Sequence, residues 1–184
     1  MTVEVFIATS IDGFIARPDG SLDWLENSDY AIEGEDYGYA AFMARVGCLL
    51  MGSGTFDVVA GFDPWPYNKP VYVMSNRLRA LPEKFAGKAS LRSGDISDVI
   101  VGLQKEHSGT IYLDGGKMIQ SGLRAGLVDR LTISRMPVLL GEGIPLFGAL
   151  EGDCPLTHHS TISFRSGVTQ SVYDVKRPQK QADI

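Results

Sequence analysis

The chain has 184 residues, 44% hydrophobic and 21% charged, the composition of one ordinary globular domain. No apolar run reaches the roughly 18 residues of a membrane span, and Glu4, Asp12 and Arg17 interrupt the uncharged core that an export signal needs, so a cytoplasmic protein is expected. A formal charge of −5, with seven acids and no base between Asp19 and Ala44, argues against a nucleic-acid face, and the two cysteines and three histidines lack the spacing of a metal site.

Val3 to Thr9 alternates and then turns wholly apolar before Ser10-Ile11-Asp12-Gly13, which predicts a central strand ending in a turn. Arg17 to Glu35 is a Gly-, Asp- and Ser-rich surface connection anchored by Trp24. Tyr39, Phe42, Met43 and Val46 share one helical face, with Asp36 placed to cap it. Cys48 to Met51 is a buried strand closed by Gly52-Ser53-Gly54-Thr55, and Thr55 to Ala60 gives one or two helical turns before the loop DPWPYNKP. Val71 to Met74 and Lys88 to Arg92 are further strands. Asp95 caps a helix carrying Ile96, Val99, Ile100 and Leu103, and Ile111 to Leu113 runs into Asp114-Gly115-Gly116. The next helix carries Ile119 and Leu123 and stops at Gly126, a residue suited to a left-handed helix end. Val128 to Arg135 resumes strand character. Thr161 to Arg165 and Val168 to Val175, joined by Ser166-Gly167, predict a two-residue hairpin, and His158-His159 reads as a loop before it. Strands alternating with helices require a mostly parallel sheet covered on both faces. An α/β fold with a mixed sheet and an antiparallel C-terminal hairpin is expected, as one domain over residues 1–178 with a polar tail over 179–184.

Three strands end in small or hydroxylated residues: Gly52 to Thr55, Ser75-Asn76, and Asp114 to Lys117. In a parallel sheet such ends lie on one edge, where exposed N–H groups and helix starts favour phosphate and glycine admits close approach. Singly, each glycine reads as a turn or cap; together they fit the anionic parts of a dinucleotide. The standard fingerprints do not match, since Asp57 stands where GxGxxG needs glycine.

The segment LDGGKMIQSGLRAGLVDRLTISRMPVLLGEG, with ATSIDGFIA, DYGYAAFM and LLMGSGTFD in order before it, resembles the dihydrofolate reductase superfamily, and particularly the reductase domain of the bifunctional riboflavin-biosynthesis deaminase-reductase and its stand-alone relatives. The resemblance spans nearly the whole chain and implies a three-layer α/β/α dihydrofolate-reductase-like fold. It also implies a nicotinamide dinucleotide, usually NADPH, across the strand ends. Ala8 and Ile15 match the nicotinamide positions, Gly52, Ser53, Gly54 and Thr55 the phosphate and adenosine loop, and Ser75 and Asn76 the adenine-side loop. Asp114, Gly115, Gly116, Lys117, Met118 and Ile119 match the second phosphate turn. Ser53 stands where the family carries the arginine that grips the 2′-phosphate, which admits NADH as well as NADPH unless Arg77 or Arg79 compensates.

By the same register Asp36 falls where dihydrofolate reductases keep the carboxylate that assists substrate protonation, although the residue also suits a helix cap. Asp12 beside the nicotinamide end and Trp24 on the pocket wall are candidate substrate contacts, each with a turn or core alternative. Tyr37 and Tyr39 fit core or pocket wall. The resemblance implies hydride transfer to a C=N or C=O carbon of a ribosylaminopyrimidine or other small heterocycle, with a dihydropterin or a turnover-free dinucleotide sensor as alternatives. It also implies a homodimer, and neither a metal nor a nucleic-acid partner is expected.

Overall fold

The computed structural model describes residues 1–176, so the predicted tail and the last two residues of the predicted domain lie outside the described residues. Eight strands form one sheet. They are β1 (Val3–Thr9), β3 (Val46–Gly52), β4 (Val71–Met74), β5 (Ala89–Arg92), β6 (Thr110–Asp114), β7 (Arg130–Arg135), β9 (Leu156–Ser163) and β10 (Thr169–Val175), in the order β5-β4-β3-β6-β1-β7-β10-β9. All neighbours from β5 through β7 are parallel, while β10 pairs antiparallel with both β7 and β9. The short strands β2 (Phe14–Ala16) and β8 (Ile144–Pro145) form a separate ladder.

The run VGCLLMG shows why β3 is central. Cys48 and Leu50 enter one hydrophobic cluster with helices α3 (Ile96–Glu106) and α4 (Gly116–Arg124). Leu49 and Met51 enter another, with Phe42 of α1 (Tyr39–Arg45) and Phe56 of α2 (Ser53–Val59). Cys48, Leu49, Leu50 and Met51 are all fully buried. A strand covered on both faces needs apolar residues at every position rather than alternate ones, and two helices on each face make the three layers. Asp95 caps α3 as predicted, its carboxylate accepting from the Ser97 N–H at 2.7 Å.

Three expectations need correction. Val46 lies in β3, not on the helix, because α1 ends at Arg45 and the chain turns extended there. The C-terminal hairpin has a three-residue loop, Arg165 to Gly167, since Phe164 N–H bonds Val168 O at 2.8 Å. Gly167, at φ 83°, supplies the left-handed residue that this loop length requires. His158 and His159 sit within β9, which begins five residues before the predicted strand. The β2–β8 ladder escapes sequence reading, because pieces of three and two residues carry no periodicity.

Among the described residues no helix is long and apolar enough to cross a membrane.

Candidate active-site cleft

The chain leaves β1 for the far side of β3 and returns through β6 between them, so the carboxyl ends of β1, β6 and β3 open together. A cleft of about 850 Å³ lies there. Met51 pairs with Asp114 across β3 and β6, which sets the bend after each strand beside the other. A methyl group on Gly115 would come 2.1 Å from Thr55 Oγ1, so the two bends are in contact. Gly52, Ser53, Gly54 and Thr55 line the cleft opposite Asp114, Gly115, Gly116, Lys117 and Met118, with Ala8 and Ile15 at the β1 end.

The local reasons are visible at each bend. Gly115 adopts φ 91°, where an L side chain is strained, and its N–H bonds the Asp114 carboxylate at 2.8 Å. The first acceptor of α4 is Gly115 O, taken by Ile119 N–H at 2.9 Å. The N–H groups of residues 116–118 are thus left without helical partners, turned toward the cleft end of the helix. No atom lies within 4 Å of a methyl group placed on Gly54, so the main chain there is open to a ligand.

Other expected site residues are placed elsewhere. Ile119 is fully buried in the α3–α4 cluster and supports the turn from behind. Ser75 and Asn76 do not line the cleft: Ser75 Oγ accepts from the N–H groups of Arg77 and Leu78 at 3.2 and 3.1 Å, and Asn76 Oδ1 accepts from Gly94 N–H at 2.9 Å. Both thereby shape the bend that brings Arg77 to the cleft wall. Asp12 is exposed and bonds the N–H groups of Leu140 and Gly141 at 3.2 and 2.8 Å. A hydrogen bond from Ser10, followed by these amides, holds its pKa below the ordinary carboxylate value. Trp24 is 3% exposed and packs behind Ala8 and Leu25 in a cluster with Tyr30, Met136 and Val168, one shell away from the cleft surface.

Asp36 is the main correction. Its carboxylate is exposed, off the cleft, and accepts from Ala40 N–H and Gly38 N–H, both at 2.9 Å. Those bonds, with Ala40's the larger effect, depress its pKa, so it holds no proton to donate at working pH. The loop before α1 is long enough for the carboxylate to turn back onto the helix it starts. Asp36→Asn is therefore expected to leave turnover unchanged and to lower the melting temperature modestly. Because its native pKa is depressed, that loss of stability should appear at neutral pH and vanish in acid, once the wild-type carboxyl protonates. Parallel initial-rate assays and thermal melts at pH 7 and in acid check this.

The cleft also holds a group that sequence reading assigned only to phosphate binding. Asp114 is part-buried at the end of a central strand, and burial pushes its pKa up to about 6 against the opposing hydrogen bond from Gly115. Tyr67 and Tyr112 line the cleft with it. Tyr39 stands just behind, edge-on to Phe6 at 5.6 Å, and Tyr112 donates to Phe6 O at 2.8 Å. Burial, and secondarily the Asp114 carboxylate, raises all three phenols, Tyr39 to about 12. Tyr67 lies in the Pro-rich loop DPWPYNKP, where Trp65 packs on Phe56 and Phe85 and fixes the loop against the core. The legible signal was a carboxylate closing a central parallel strand; that the tyrosines converge on it is a tertiary fact.

The eight-stranded mixed sheet with this cleft is the dihydrofolate-reductase-like fold. Enterococcus faecalis dihydrofolate reductase, complexed with NADP(H), shares it at TM-score 0.64 and 13% identity, over 95% of this chain and 96% of that one. Residues 1–168 match the model of the RibD C-terminal domain, and the chain belongs to that family. A crystal structure from Shewanella sp. PV-4, whose protein bears a riboflavin-biosynthesis name, is 42% identical with TM-score 0.91, covering 96% of this chain and 100% of that one. The Bacillus subtilis protein YwjB is 31% identical over 169 residues, 89% of this chain and 92% of its own.

Proposed function

We propose that the chain is a nicotinamide-dinucleotide-dependent reductase of the riboflavin-biosynthesis-reductase type, acting on a C=N bond of a small heterocycle. The observation that carries it is the contact between the two glycine bends at one cleft, whose lining includes the Asp114 carboxyl. The residues fit the coenzyme. Open main chain at Gly54, the free N–H groups of residues 116–118 and the side chains of Lys117 and Arg77 offer anion seats along one cleft, with Ala8 and Ile15 at its apolar end. The coenzyme, when bound, supplies a hydride to the carbon of the C=N bond and leaves oxidised. The chain supplies the rest. Asp114 holds the proton that the nitrogen must gain, the aromatic walls of Phe6, Tyr67 and Tyr112 exclude water, and the glycine bends fix where the reacting atoms meet.

Arg77 is the cleft cation on the β4 side, where Ser53 offers only a hydroxyl. NADPH is expected to bind more tightly than NADH, and Arg77→Ala to weaken NADPH about tenfold while leaving NADH nearly unchanged, the effect of one charge-assisted phosphate contact. Fluorescence titration of both coenzymes against both proteins measures this. NADH binding as tightly as NADPH to the parent protein would remove the 2′-phosphate assignment, and failure of either coenzyme to bind would remove the reductase reading.

A further inference from the structure

We infer that Tyr67 is a substrate-contacting residue of this cleft, its hydroxyl donating a hydrogen bond to an acceptor on the edge of the heterocycle, a ring carbonyl or ring nitrogen. The inference rests on the reductase reading and names a contact that governs substrate choice at the same site. Tyr67 thereby does more than wall the cleft.

Three tyrosines gather near Asp114, and one of them has a hydroxyl left for a ligand. Tyr112, on β6 with Asp114, is buried and commits its O–H to Phe6 O at 2.8 Å. Tyr39 belongs to α1, packs edge-on to Phe6 and does not line the cleft. Tyr67 does line it, and its hydroxyl makes no hydrogen bond among the described residues. The buried side-chain polar atoms without a partner among those residues are Glu4 Oε2 and Trp24 Nε1, so the Tyr67 oxygen is open rather than sealed inside. Beyond burial, the Asp114 carboxylate and then the Tyr39 hydroxyl oppose its ionisation, which puts the three groups in one neighbourhood.

The ring itself is held. It stands edge-on to Trp65 at 5.6 Å, and Trp65 packs on Phe56 of α2 and on Phe85. A phenol with a clamped ring and a free oxygen has little side-chain freedom to lose when it binds a ligand. Its task differs from that of Asp114. Burial raises the Tyr67 phenol well above its ordinary value, so it keeps its proton throughout the range in which Asp114 titrates. Asp114 gives up a proton in the reaction, whereas Tyr67 gives up none and serves as a neutral donor. Against a wall that includes the Phe6 ring, a substrate acceptor left without a partner is costly, so this hydroxyl helps decide which ring is accepted.

Tyr67→Phe keeps the ring and removes the hydroxyl alone. Calorimetric titration of 5-amino-6-(5-phosphoribosylamino)uracil is made into the full chain loaded with NADP⁺, parent and variant, and NADPH oxidation by the same compound is followed beside it. Kd and KM for the pyrimidine are expected to rise about tenfold in the variant, with kcat changed by less than about threefold. Affinity for NADP⁺, the melting temperature and the rate limb near pH 6 should stay as they are in the parent. Unaltered Kd and KM in the variant overturn the inference and leave the reductase standing. A lowered melting temperature with weakened coenzyme binding also overturns it, since Tyr67 then serves the packing of the loop. Tyr67-dependent binding of the pyrimidine without NADPH oxidation keeps the contact and sinks the reductase, and a parent protein that does not bind the pyrimidine overturns the inference.

Discussion

Replacing Asp114 by asparagine is expected to lower kcat by about a hundredfold or more, the usual contribution of a positioned general acid, while coenzyme affinity changes little. The acid form is the competent one. With its pKa pushed up to about 6, the parent rate should fall as pH rises through that value, and the variant's residual rate should be flat there. Tyr39, Tyr67 and Tyr112 face the same carboxylate but titrate well above this range, so the limb near pH 6 belongs to Asp114. Stability should move the opposite way. A carboxyl whose native pKa is raised from 3.8 favours folding fully below its unfolded value and loses that contribution as pH climbs through about 6. At pH 8 the parent carries an ionised, part-buried carboxylate that the amide lacks. Asp114→Asn is therefore expected to be more stable there by about 2–3 kcal/mol, a gain that disappears below pH 4. A protein that loses turnover while gaining thermal stability marks a residue kept for chemistry. Stability that falls at both pH values, or a pH profile left unchanged, would falsify the assignment.

Gly115→Ala is expected to cost about 2–4 kcal/mol and to abolish measurable coenzyme binding. The added methyl group would stand 2.1 Å from Thr55 Oγ1, and the backbone is held at φ 91°. Overpacking and left-handed strain are each worth about 1–3 kcal/mol. In a chain of this length the sum corresponds to roughly 5–15 °C in melting temperature. The two causes separate in the double variant Gly115→Ala/Thr55→Ala, which removes the clash but leaves the strain, so about half the lost stability should return. Coenzyme binding should return only in part, because Thr55 lines the cleft as well. Melting curves and coenzyme titrations on the three proteins decide it. Full recovery in the double variant would show that the backbone conformation at Gly115 is immaterial, and no recovery would show that the two bends do not meet.

The parts of the fold that sequence made legible are those in which one local pattern admits one structure. Val3 to Thr9 and Val71 to Met74 are strands over the predicted residues, because a short apolar run of β-branched character between turn residues has no competing use in a chain of this size. Asp95 caps α3 because an acid before a helical stripe bonds the amides beside it wherever the helix goes next. The same locality explains the glycine bends: the composition at residues 52–55 and 114–117 required tight turns at strand ends, and the parallel pairing of Met51 with Asp114 set them together.

What only the tertiary structure decided is which way each polar side chain points. Asp36 and Asp114 are both carboxylates beside helix starts, and the family register offered the first as acid or helix cap and the second only as part of a phosphate turn. The loop before α1 returns the Asp36 carboxylate to its own helix in open solvent. Asp114, at the end of a strand flanked by β1 and β3, shares the cleft with Tyr67 and Tyr112 from other segments, and burial there raises its pKa to about 6, which is what recommends it as the proposed acid. Turn, cap and strand energies are set by neighbours along the chain, whereas desolvation is set by whatever distant segments close around a group, and periodicity carries no record of them.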